Sequence, residues 1–251
     1  MRSDLYDSLA DTEETHWWFQ ARKSIILALL DRELAGMSPK LAILDVGAGT
    51  GMLAEALTRF GRVTALETAP EALLHLERRK DITIVQGILP NPDLPRGAYD
   101  LVTGFDVLEH IEDDRSAMAD IADVLRPGGF LLLTVPAHPR LWSDHDEIHH
   151  HFRRYRPGEV ESLARASGLH VRFSSPFQTL LFPLFLAERL VRRLRPSEAH
   201  TEVPPRPVNW IARRVFSFER HWIARRVRAP IGSSHIVLAM KPDKPIREDG
   251  P

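Results

Sequence analysis

Residues 41–53 read Leu-Ala-Ile-Leu-Asp-Val-Gly-Ala-Gly-Thr-Gly-Met-Leu, and this stretch decides the fold. A short apolar run ends at Asp45, glycine then occupies every second position from 47 to 51, and an alanine- and leucine-rich helical pattern begins at Met52. The pattern predicts a strand, a tight glycine turn and a helix. Because glycine permits positive φ and lets a ligand lie against the backbone at a helix N-terminus, the turn suits a nucleotide-like ligand. An ordinary structural turn is the alternative.

The composition is typical of a globular protein. The chain has 251 residues, 43% of them hydrophobic and 27% charged, and it contains no cysteine. Disulfides, thiolate nucleophiles and cysteine-ligated zinc are therefore excluded. Residues 1–14 are acidic and polar and lack the basic and apolar segments of a secretory signal, so we expect a cytoplasmic protein.

Strand and helix patterns alternate along the chain after the glycine turn. Further strands are predicted at 62–67, 82–86, 99–106, 130–136, 169–173 and 234–240, and helices at 52–60, 70–79, 116–125 and 157–167. This alternation predicts an α/β fold with a doubly wound, mostly parallel sheet and right-handed crossovers.

Polar and glycine residues follow the ends of the first four predicted strands, where ligands bind in parallel sheets. They are Asp45 to Gly51, Glu67, Gly87 and Ile88, and Asp106 to His110. Glu67 lies 22 positions beyond Asp45, about where a strand-end carboxylate reaches ribose hydroxyls in a nucleotide-binding βαβ unit. A carboxylate can accept from both hydroxyls at once. A solvated charge at a strand end is the alternative for Glu67.

Four motifs in this order resemble the class I S-adenosylmethionine-dependent methyltransferases. They are Asp45-Val-Gly-Ala-Gly-Thr-Gly51, Glu67, Phe105-Asp-Val-Leu-Glu-His-Ile111 and Leu125-Arg-Pro-Gly-Gly129, and the resemblance extends over residues 14–175. It implies a seven-stranded Rossmann-like sheet whose last strand runs antiparallel to its neighbours, with S-adenosylmethionine as the cofactor.

The resemblance also implies which residues bind that cofactor. Gly47, Ala48 and Gly49 would face its methionine part, Glu67 its ribose, and Gly87 its adenine. The full predicted set is Asp45, Gly47, Ala48, Gly49, Gly51, Glu67, Gly87, Ile88, Asp106 and His110. The family often has an acidic residue where this chain has Ile88, so we expect backbone contacts alone to hold the adenine.

The segment 136–158 follows the fifth strand and is placed to hold the methyl acceptor. It is rich in histidine and arginine, and we predict His150 as the general base and Arg153 or Arg154 as a clamp for an anionic group on the acceptor. One alternative is a metal site at His145 and His149, which are four residues apart. We expect no metal, since the stretch is loop-like, and a polar solvated loop is the other alternative.

Trp17 and Trp18 open an apolar helical pattern close to Arg22. Two aromatic side chains at this position would form either a lid over the ligand or ordinary packing between the N-terminal helix and the sheet.

Residues 176–230 form an unusual basic insertion before the closing strand. Arg189 to Arg228 contains eleven arginines against three acidic residues, whereas the whole chain has a net charge of -1. Its first apolar run is broken by Pro183 and is too short to cross a bilayer. A helical stripe follows, made of Val208, Ile211, Val215, Phe218 and Trp222. We predict a pair of amphipathic helices that suit an anionic membrane surface, or that pack on the sheet edge or a second subunit. Nucleic acid is not expected as a partner, since the remaining chain is acidic.

We therefore expect an S-adenosylmethionine-dependent methyltransferase acting on oxygen or nitrogen of a small-molecule or lipid-linked acceptor, in the cytoplasm or peripherally on the inner face of the membrane. One rival is a nicotinamide-dependent oxidoreductase, although the third glycine falls one place early for its Gly-x-Gly-x-x-Gly fingerprint. The other rival is a membrane-docked module that binds the cofactor without transferring its methyl group.

The expected segments are a helical cap (1–40), a cofactor-binding Rossmann-like domain (41–175), the basic helical insertion (176–230) and a closing strand with a polar tail (231–251), in one structural domain overall.

Overall fold

The apolar run before the glycine turn forms a central strand of a seven-stranded sheet. The computed structural model describes residues 3–38, 40–187 and 203–243. The strands are β1 (Leu41–Val46), β2 (Gly61–Glu67), β3 (Ile82–Gln86), β4 (Tyr99–Phe105), β5 (Leu125–Pro136), β6 (His170–Phe177) and β7 (Ser234–Met240). The helices are α1 (Ser3–Glu13), α2 (Trp17–Glu33), α3 (Met52–Leu57), α4 (Pro70–Leu76), α5 (Asp114–Val124), α6 (Asp144–Ile148), α7 (Glu159–Ala166), α8 (Arg206–Ser217) and α9 (Arg220–Ile223). Short 3-10 turns occupy Leu108–His110 and Pro139–Leu141, and residues 182–187 are also helical.

The strand order is β3-β2-β1-β4-β5-β7-β6. Strands β1 to β5 pair in parallel, and β7 runs antiparallel to both β5 and β6. The order reverses between β1 and β4, which is the place where a doubly wound sheet opens a crevice for a ligand. The predicted fold, including the antiparallel last strand and the helices before it, is confirmed.

The core lies on both faces of the sheet, as expected for strands that are apolar along their whole length. On one face the core includes side chains from α5 and α7, such as Ile121 and Val160. On the other face it includes side chains from α2, α3 and the insertion, such as Ile25, Leu57 and Phe216. Full burial of a side chain such as Phe216 stabilises the fold by about 2–3 kcal/mol.

The N-terminal part of the chain differs from the sequence-based expectation. Residues 1–14 were expected to be only acidic and polar, yet Ser3–Glu13 forms α1. A second helix begins at Trp17, because the His16 side chain accepts a hydrogen bond from the Trp18 N–H (3.2 Å) and so caps it. The predicted helical cap (1–40) therefore contains two helices, with residues 14–16 between them.

The boundaries of several other elements also move. Strand β5 begins at Leu125 rather than at the predicted residue 130, because Leu125 already pairs with Tyr99 of β4. Strand β6 extends to Phe177 because Phe177 pairs with Ser234, the first residue of β7. Residues 144–148 form a helical turn in a stretch that was predicted to be loop-like.

The insertion buries a different face from the predicted stripe. Phe216 and Ile223 are buried against α2, whereas Val208, Ile211 and Phe218 are each more than half exposed. The reason is that α8 carries apolar side chains on two of its faces, and only the face that contains Phe216 contacts α2. The first half of the predicted helical pair spans residues 179–194; residues 182–187 of it are helical, and the part from 188 onward lies outside the described residues.

Two polar contacts fix the insertion to the body of the protein. The Asn209 side chain accepts from the Trp17 N–H (2.8 Å) and donates to the Thr15 carbonyl (2.9 Å). The buried Glu219 carboxylate accepts from three successive backbone N–H groups, those of Gln178, Thr179 and Leu180, at 2.7–2.9 Å. These bonds tie α8 and the α8–α9 junction to the start of α2 and the end of β6.

Within the described residues, no helix has the length and apolar character needed to span a bilayer.

Candidate cofactor and acceptor site

A cavity of about 1750 Å³ runs along the carboxyl edge of the parallel strands. Nine of the ten predicted cofactor residues line it, namely Asp45, Gly47, Ala48, Gly49, Glu67, Gly87, Ile88, Asp106 and His110. The tenth, Gly51, caps α3 and faces away, since a Cβ there would lie 2.7 Å from Cδ2 of Leu76. The strand ends thus bring these nine residues together, while Gly51 packs against Leu76 at the end of α4.

The glycine turn is shaped for close backbone approach. Gly47 has a φ of 62°, and a Cβ there would lie 2.3 Å from Cγ2 of Val107. Gly49 has a φ of 57°, but outside its chain neighbours no heavy atom lies within 4 Å of the place where its Cβ would stand. Gly47 is therefore required by the protein's own packing, whereas Gly49 leaves space on the cavity side where a ligand can contact the main chain.

Glu67 connects the end of β2 to this turn. One carboxylate oxygen accepts from the Gly49 N–H (2.8 Å), and the other accepts from the N–H groups of Thr68 (2.8 Å) and Ala69 (2.9 Å). The carboxylate is buried and lines the cavity. Since each carboxylate oxygen accepts about two hydrogen bonds, the oxygen bound to the Gly49 N–H keeps one lone pair that a ribose hydroxyl can use.

Asp45 lies beneath the turn and is fully enclosed. Its carboxylate accepts from the Thr103 hydroxyl of β4 at 2.6 Å. Burial, assisted by the charge of Glu67, raises the pKa of Asp45 to about 7 in spite of that hydrogen bond. Asp45 therefore lies at the junction of the two central strands, below the backbone that faces the ligand.

Asp106 ends the fourth strand in a left-handed conformation, with a φ of 56°. Its carboxylate forms an ion pair with Arg22 at 2.7 Å and accepts from the Thr134 hydroxyl at 3.2 Å. The Arg22 guanidinium also stacks over Trp18, 4.8 Å from the ring centre, and donates to Thr134. A non-glycine residue at positive φ costs conformational energy, and such residues cluster at functional sites.

The adenine end predicted by the sequence is lined by Gly87 and Ile88. The Gly87 N–H donates to the Glu67 carbonyl (2.9 Å), and a Cβ at Gly87 would lie 2.5 Å from the Asn91 amide nitrogen. Ile88 is 54% exposed and offers an apolar surface without a charge. This end of the cavity presents backbone and apolar groups, and adenine binding there stays a prediction.

Helix α1 contributes lining residues that the sequence did not indicate. Tyr6 and Glu13 face the cavity. Glu13 accepts from the Thr50 hydroxyl and forms an ion pair with Arg79 at 2.6 Å, which attaches α1 to the glycine turn. Burial and the nearby charge of Glu67 raise the pKa of Tyr6 to about 12. The helical spacing of Leu5, Tyr6 and Leu9 was the available signal for this helix.

Trp17 and Trp18 show the packing that was one of the two predicted alternatives, while a lid role stays a prediction. Both line the cavity. Trp17 also packs edge-on against Phe216 of α8, with ring centres 6.0 Å apart, and Trp18 packs against Phe19 at 4.8 Å. They form an apolar wall between the cavity and the insertion.

The acceptor-side segment is organised around the buried carboxylate of Asp146. It accepts from Nε of Arg154 (2.7 Å), from the Ser143 N–H (2.9 Å) and from Nδ1 of His151 (2.9 Å). Although burial acts in the opposite direction, the contacts with His151 and Arg154 lower the pKa of Asp146. The Asp146 side chain thus holds together His151, Arg154 and the N-terminus of α6.

These contacts correct the predicted anion clamp. Arg154 lines the cavity, but its guanidinium is bound to Asp146 and to the Ala137 carbonyl. Arg153 is not among the lining residues and pairs with Asp114 at 2.7 Å. The physical reason is that each guanidinium has an internal carboxylate partner, which the sequence order alone does not reveal.

The predicted base, His150, lies on the rim. It is exposed, it lines the cavity, and its backbone is left-handed, with a φ of 56°. Its neighbour His151 is the residue that Asp146 holds, and it packs edge-on against His110 with ring centres 4.6 Å apart. Burial, followed by the charges of His151 and His149, lowers the pKa of His110 to about 4.

The alternative metal site predicted at His145 and His149 has its two histidines close together, but the neighbouring Asp146 carboxylate does not join them. His145 and His149 lie one helical turn apart with ring centres at 4.2 Å, as the spacing predicts. Asp146, the carboxylate beside them in sequence, is directed instead to His151 and Arg154.

A doubly wound sheet with a glycine turn, a strand-end carboxylate and one large cavity at its carboxyl edge defines a nucleotide-binding α/β enzyme fold. Comparison with known proteins makes the class specific. Residues 44–133 match the family model described as a methyltransferase domain. Residues 44–133 therefore form a methyltransferase domain similar to that of the class I S-adenosylmethionine-dependent methyltransferases, whose cofactor is S-adenosylmethionine.

Curated relatives match less than half of the chain. An enzyme of Shewanella pealeana named ubiquinone biosynthesis O-methyltransferase is 35% identical over 115 residues, which are 43% of this chain and 48% of that protein. The enzyme of the same name from Xanthomonas campestris is 39% identical over 103 residues, covering 38% and 43%. The chain thus spans about half the length of the curated relatives it matches.

Solved structures share the fold over most of the chain. A putative sarcosine dimethylglycine methyltransferase from Galdieria sulphuraria aligns with a TM-score of 0.60 at 20% identity, covering 89% of this chain and 86% of that one. Phosphoethanolamine N-methyltransferase 2 of Haemonchus contortus, solved with S-adenosyl-L-methionine, aligns with a TM-score of 0.58 at 20% identity, covering 86% and 52%. These comparisons give no support to a nicotinamide-dependent oxidoreductase.

Proposed function

We propose that this protein transfers the methyl group of S-adenosylmethionine to an oxygen of a small-molecule acceptor. The observation that carries the proposal is the pairing of a ligand-accessible glycine turn with the buried Glu67 carboxylate on one cavity wall. The curated relatives are named as O-methyltransferases, which supports oxygen over nitrogen as the accepting atom.

The cofactor, when bound, supplies a methyl carbon on a positively charged sulfur, so displacement needs alignment of the acceptor more than activation of the methyl group. The chain's own residues would provide that alignment. The Arg22–Asp106 pair fixes the wall at the end of β4, and Trp17 and Trp18 exclude water from the side of the insertion. The histidines of residues 145–151 are the groups available to accept a proton from the acceptor.

The test of the cofactor assignment is the substitution Glu67→Ala. We expect the affinity for S-adenosylhomocysteine, measured by calorimetry, to fall by more than about tenfold, because a charge-assisted hydrogen bond to ribose and the brace on Gly49 are both lost. Glu77→Ala, an exposed glutamate at the end of α4, is the matched control and should leave the dissociation constant unchanged. An unchanged constant in Glu67→Ala would reject the ribose assignment.

We further propose a lipid-linked acceptor that the protein meets at the inner, anionic face of a membrane while remaining otherwise cytoplasmic. The supporting observation is the outer aspect of α8 and its C-terminal end, where Val208, Ile211 and Phe218 are 55–57% exposed. Arg213 and Arg214 are exposed on the same helix. Apolar side chains flanked by arginines suit the boundary between acyl chains and anionic headgroups.

Vesicle pelleting tests this second proposal. The wild-type protein should sediment with vesicles that contain roughly one-third anionic lipid and much less with neutral vesicles. Ile211→Ser with Phe218→Ser should abolish sedimentation, and Arg213→Gln with Arg214→Gln should weaken it, whereas Arg165→Gln on the exposed side of α7 should not. Equal sedimentation of all variants would reject a membrane role for α8. Arg226 is unsuitable for this test, since it pairs with Glu33 of α2.

A further inference from the structure

The carboxylate of Glu109 stands out among the buried polar groups. The residue is completely buried, and neither of its side-chain oxygens has a hydrogen-bond partner. It lies in the 3-10 turn after β4 and lines the cavity. A buried carboxylate without partners is costly, so its retention calls for a specific compensating group.

The nearby cations Arg22 and Arg154 compensate this carboxylate only in part. Arg22 forms its ion pair with Asp106 at 2.7 Å, and Arg154 forms its own with Asp146 at 2.7 Å. Each guanidinium is thus matched to another acid, and Asp106 adds a further negative charge near Glu109. The site has an excess of negative charge that a bound cation would balance.

Two histidines complete a set of donors around Glu109. His110 follows it in the same turn, and His151 reaches the same place from the acceptor-side segment. One carboxylate oxygen and one ring nitrogen from each histidine lie within 4.8 Å of one another. Tetrahedral bonds of about 2.0–2.2 Å would bring such atoms to separations of roughly 3.4 Å, which small side-chain rotations can supply.

The geometry around His151 matches that of a metal-binding histidine. Its Nδ1 lies 2.9 Å from a carboxylate oxygen of Asp146, which is itself fixed by Arg154 and the Ser143 N–H. A carboxylate on one ring nitrogen fixes the tautomer and leaves Nε2 as the donor to a metal. Asp146 would therefore be a positioning residue for this ligand.

We propose that Glu109, His110 and His151 bind a zinc ion at the acceptor end of the cavity. Two imidazoles and one carboxylate favour Zn²⁺ over Mg²⁺ or Ca²⁺, which prefer oxygen ligands. Three protein ligands leave a coordination position toward the cavity, and all three residues line it. An acceptor hydroxyl bound there would lose its proton more readily, to the rim histidine His150. The resulting alkoxide or phenolate would form a bond to the methyl carbon as the bond from that carbon to the sulfonium sulfur breaks, and S-adenosylhomocysteine would leave. This role rests on the methyl transfer proposed above, whereas zinc binding itself does not.

Cobalt titration of the metal-depleted full chain tests the site. We expect one equivalent of Co²⁺ to give the intense visible absorption of a four- or five-coordinate site, to be displaced by one equivalent of Zn²⁺, and to persist in excess Mg²⁺. Glu109→Gln and His151→Gln should each weaken Co²⁺ binding by at least about tenfold, and Asp146→Asn by about 10–100-fold. The exposed His170→Gln is the matched control and should bind Co²⁺ like the wild type.

Circular dichroism and the melting temperature distinguish loss of metal binding from loss of folding. Circular dichroism of each variant shows that it is folded, and Zn²⁺ should raise the melting temperature of the wild type but not of Glu109→Gln. Absence of a one-equivalent Co²⁺ spectrum in the wild type, or an unchanged spectrum in Glu109→Gln and His151→Gln, would overturn the proposal and indicate a neutral Glu109 without metal. S-adenosylhomocysteine calorimetry on the same samples separates the two proposals, since loss of nucleotide binding with Co²⁺ binding intact would count against the proposed function alone.

Discussion

The two ends of the sheet are stabilised in different ways. At the cofactor end, β1, β2 and β4 present a glycine turn whose own N–H groups bind a carboxylate, as in the bonds from Gly49 and Ala69 to Glu67. At the acceptor end, around β5, β6 and β7, buried carboxylates bind groups distant in sequence, as in the contacts of Glu219 with the Thr179 N–H and of Glu161 with His235. The ligand-facing surface of the first end depends on backbone conformation, and the second end depends on long-range side-chain contacts.

This difference has a functional consequence. The cofactor is the same throughout the class, so a turn that uses main-chain groups serves it. The acceptor differs between enzymes, and a segment assembled from side-chain contacts can change without disturbing the strands beneath it. Substitutions should therefore affect the two ends through different quantities, which the following experiments measure.

The largest effect is expected at Glu219. Replacing it with alanine leaves three buried or half-buried N–H groups without an acceptor, so we expect the free energy of unfolding to fall by about 4 kcal/mol. Urea unfolding measures this, and Glu77→Ala is the control. S-adenosylhomocysteine affinity of the folded fraction should change little, because Glu219 lies in the insertion. A loss below about 1 kcal/mol would show that the insertion does not depend on this carboxylate.

Two glycines two positions apart should separate stability from binding at the cofactor end. Gly47→Ala creates a contact of 2.3 Å with Val107 and should lower the free energy of unfolding by about 3 kcal/mol. Gly49→Ala should lower the free energy of unfolding by only about 1 kcal/mol, the cost of alanine at positive φ. It places a methyl group on the cavity side of the turn, so it should weaken S-adenosylhomocysteine binding by roughly tenfold. Equal effects of both substitutions on binding would contradict the distinction.

The smallest effect is a dependence of stability on pH at the acceptor end. Although burial opposes it, hydrogen bonds from His235 and Ser174 lower the pKa of Glu161 to about 2, from 4.5. A carboxyl whose pKa is lowered on folding stabilises the protein above pH 4.5, and this contribution disappears as the pH falls toward 2. We expect Glu161→Gln to be less stable than the wild type by about 2 kcal/mol at pH 6, with the difference shrinking at pH 3. Urea unfolding at both values tests this, and a constant difference would be evidence against the ion pair.

Much of the fold could be predicted from the sequence because its signals are local. The apolar run before Asp45, the glycine spacing and the acid at Glu67 specify strand, turn and strand without reference to distant residues. The burial of Phe216 rather than Ile211 could not be predicted, since both aspects of α8 are apolar and only contact with α2 decides between them. Helix α1 was missed because its polar residues outweigh its apolar spacing.

The site divides in the same way. The cavity-lining positions of Gly49, Glu67 and Asp106 follow from strand ends meeting at one edge of a parallel sheet. The partners of Arg153 and Arg154 do not, because Asp114 and Asp146 reach them only in the folded chain. Glu109 was part of a quoted motif, but its lack of a partner is a property of the structure alone.

The central claim is that the turn between Asp45 and Gly51 binds S-adenosylmethionine. Calorimetric titration of the purified protein with S-adenosylhomocysteine and, separately, with NAD tests it most directly. We predict a dissociation constant on the order of micromolar for S-adenosylhomocysteine and no heat of binding for NAD. Binding of NAD in the same range, or binding of neither nucleotide, would contradict the account.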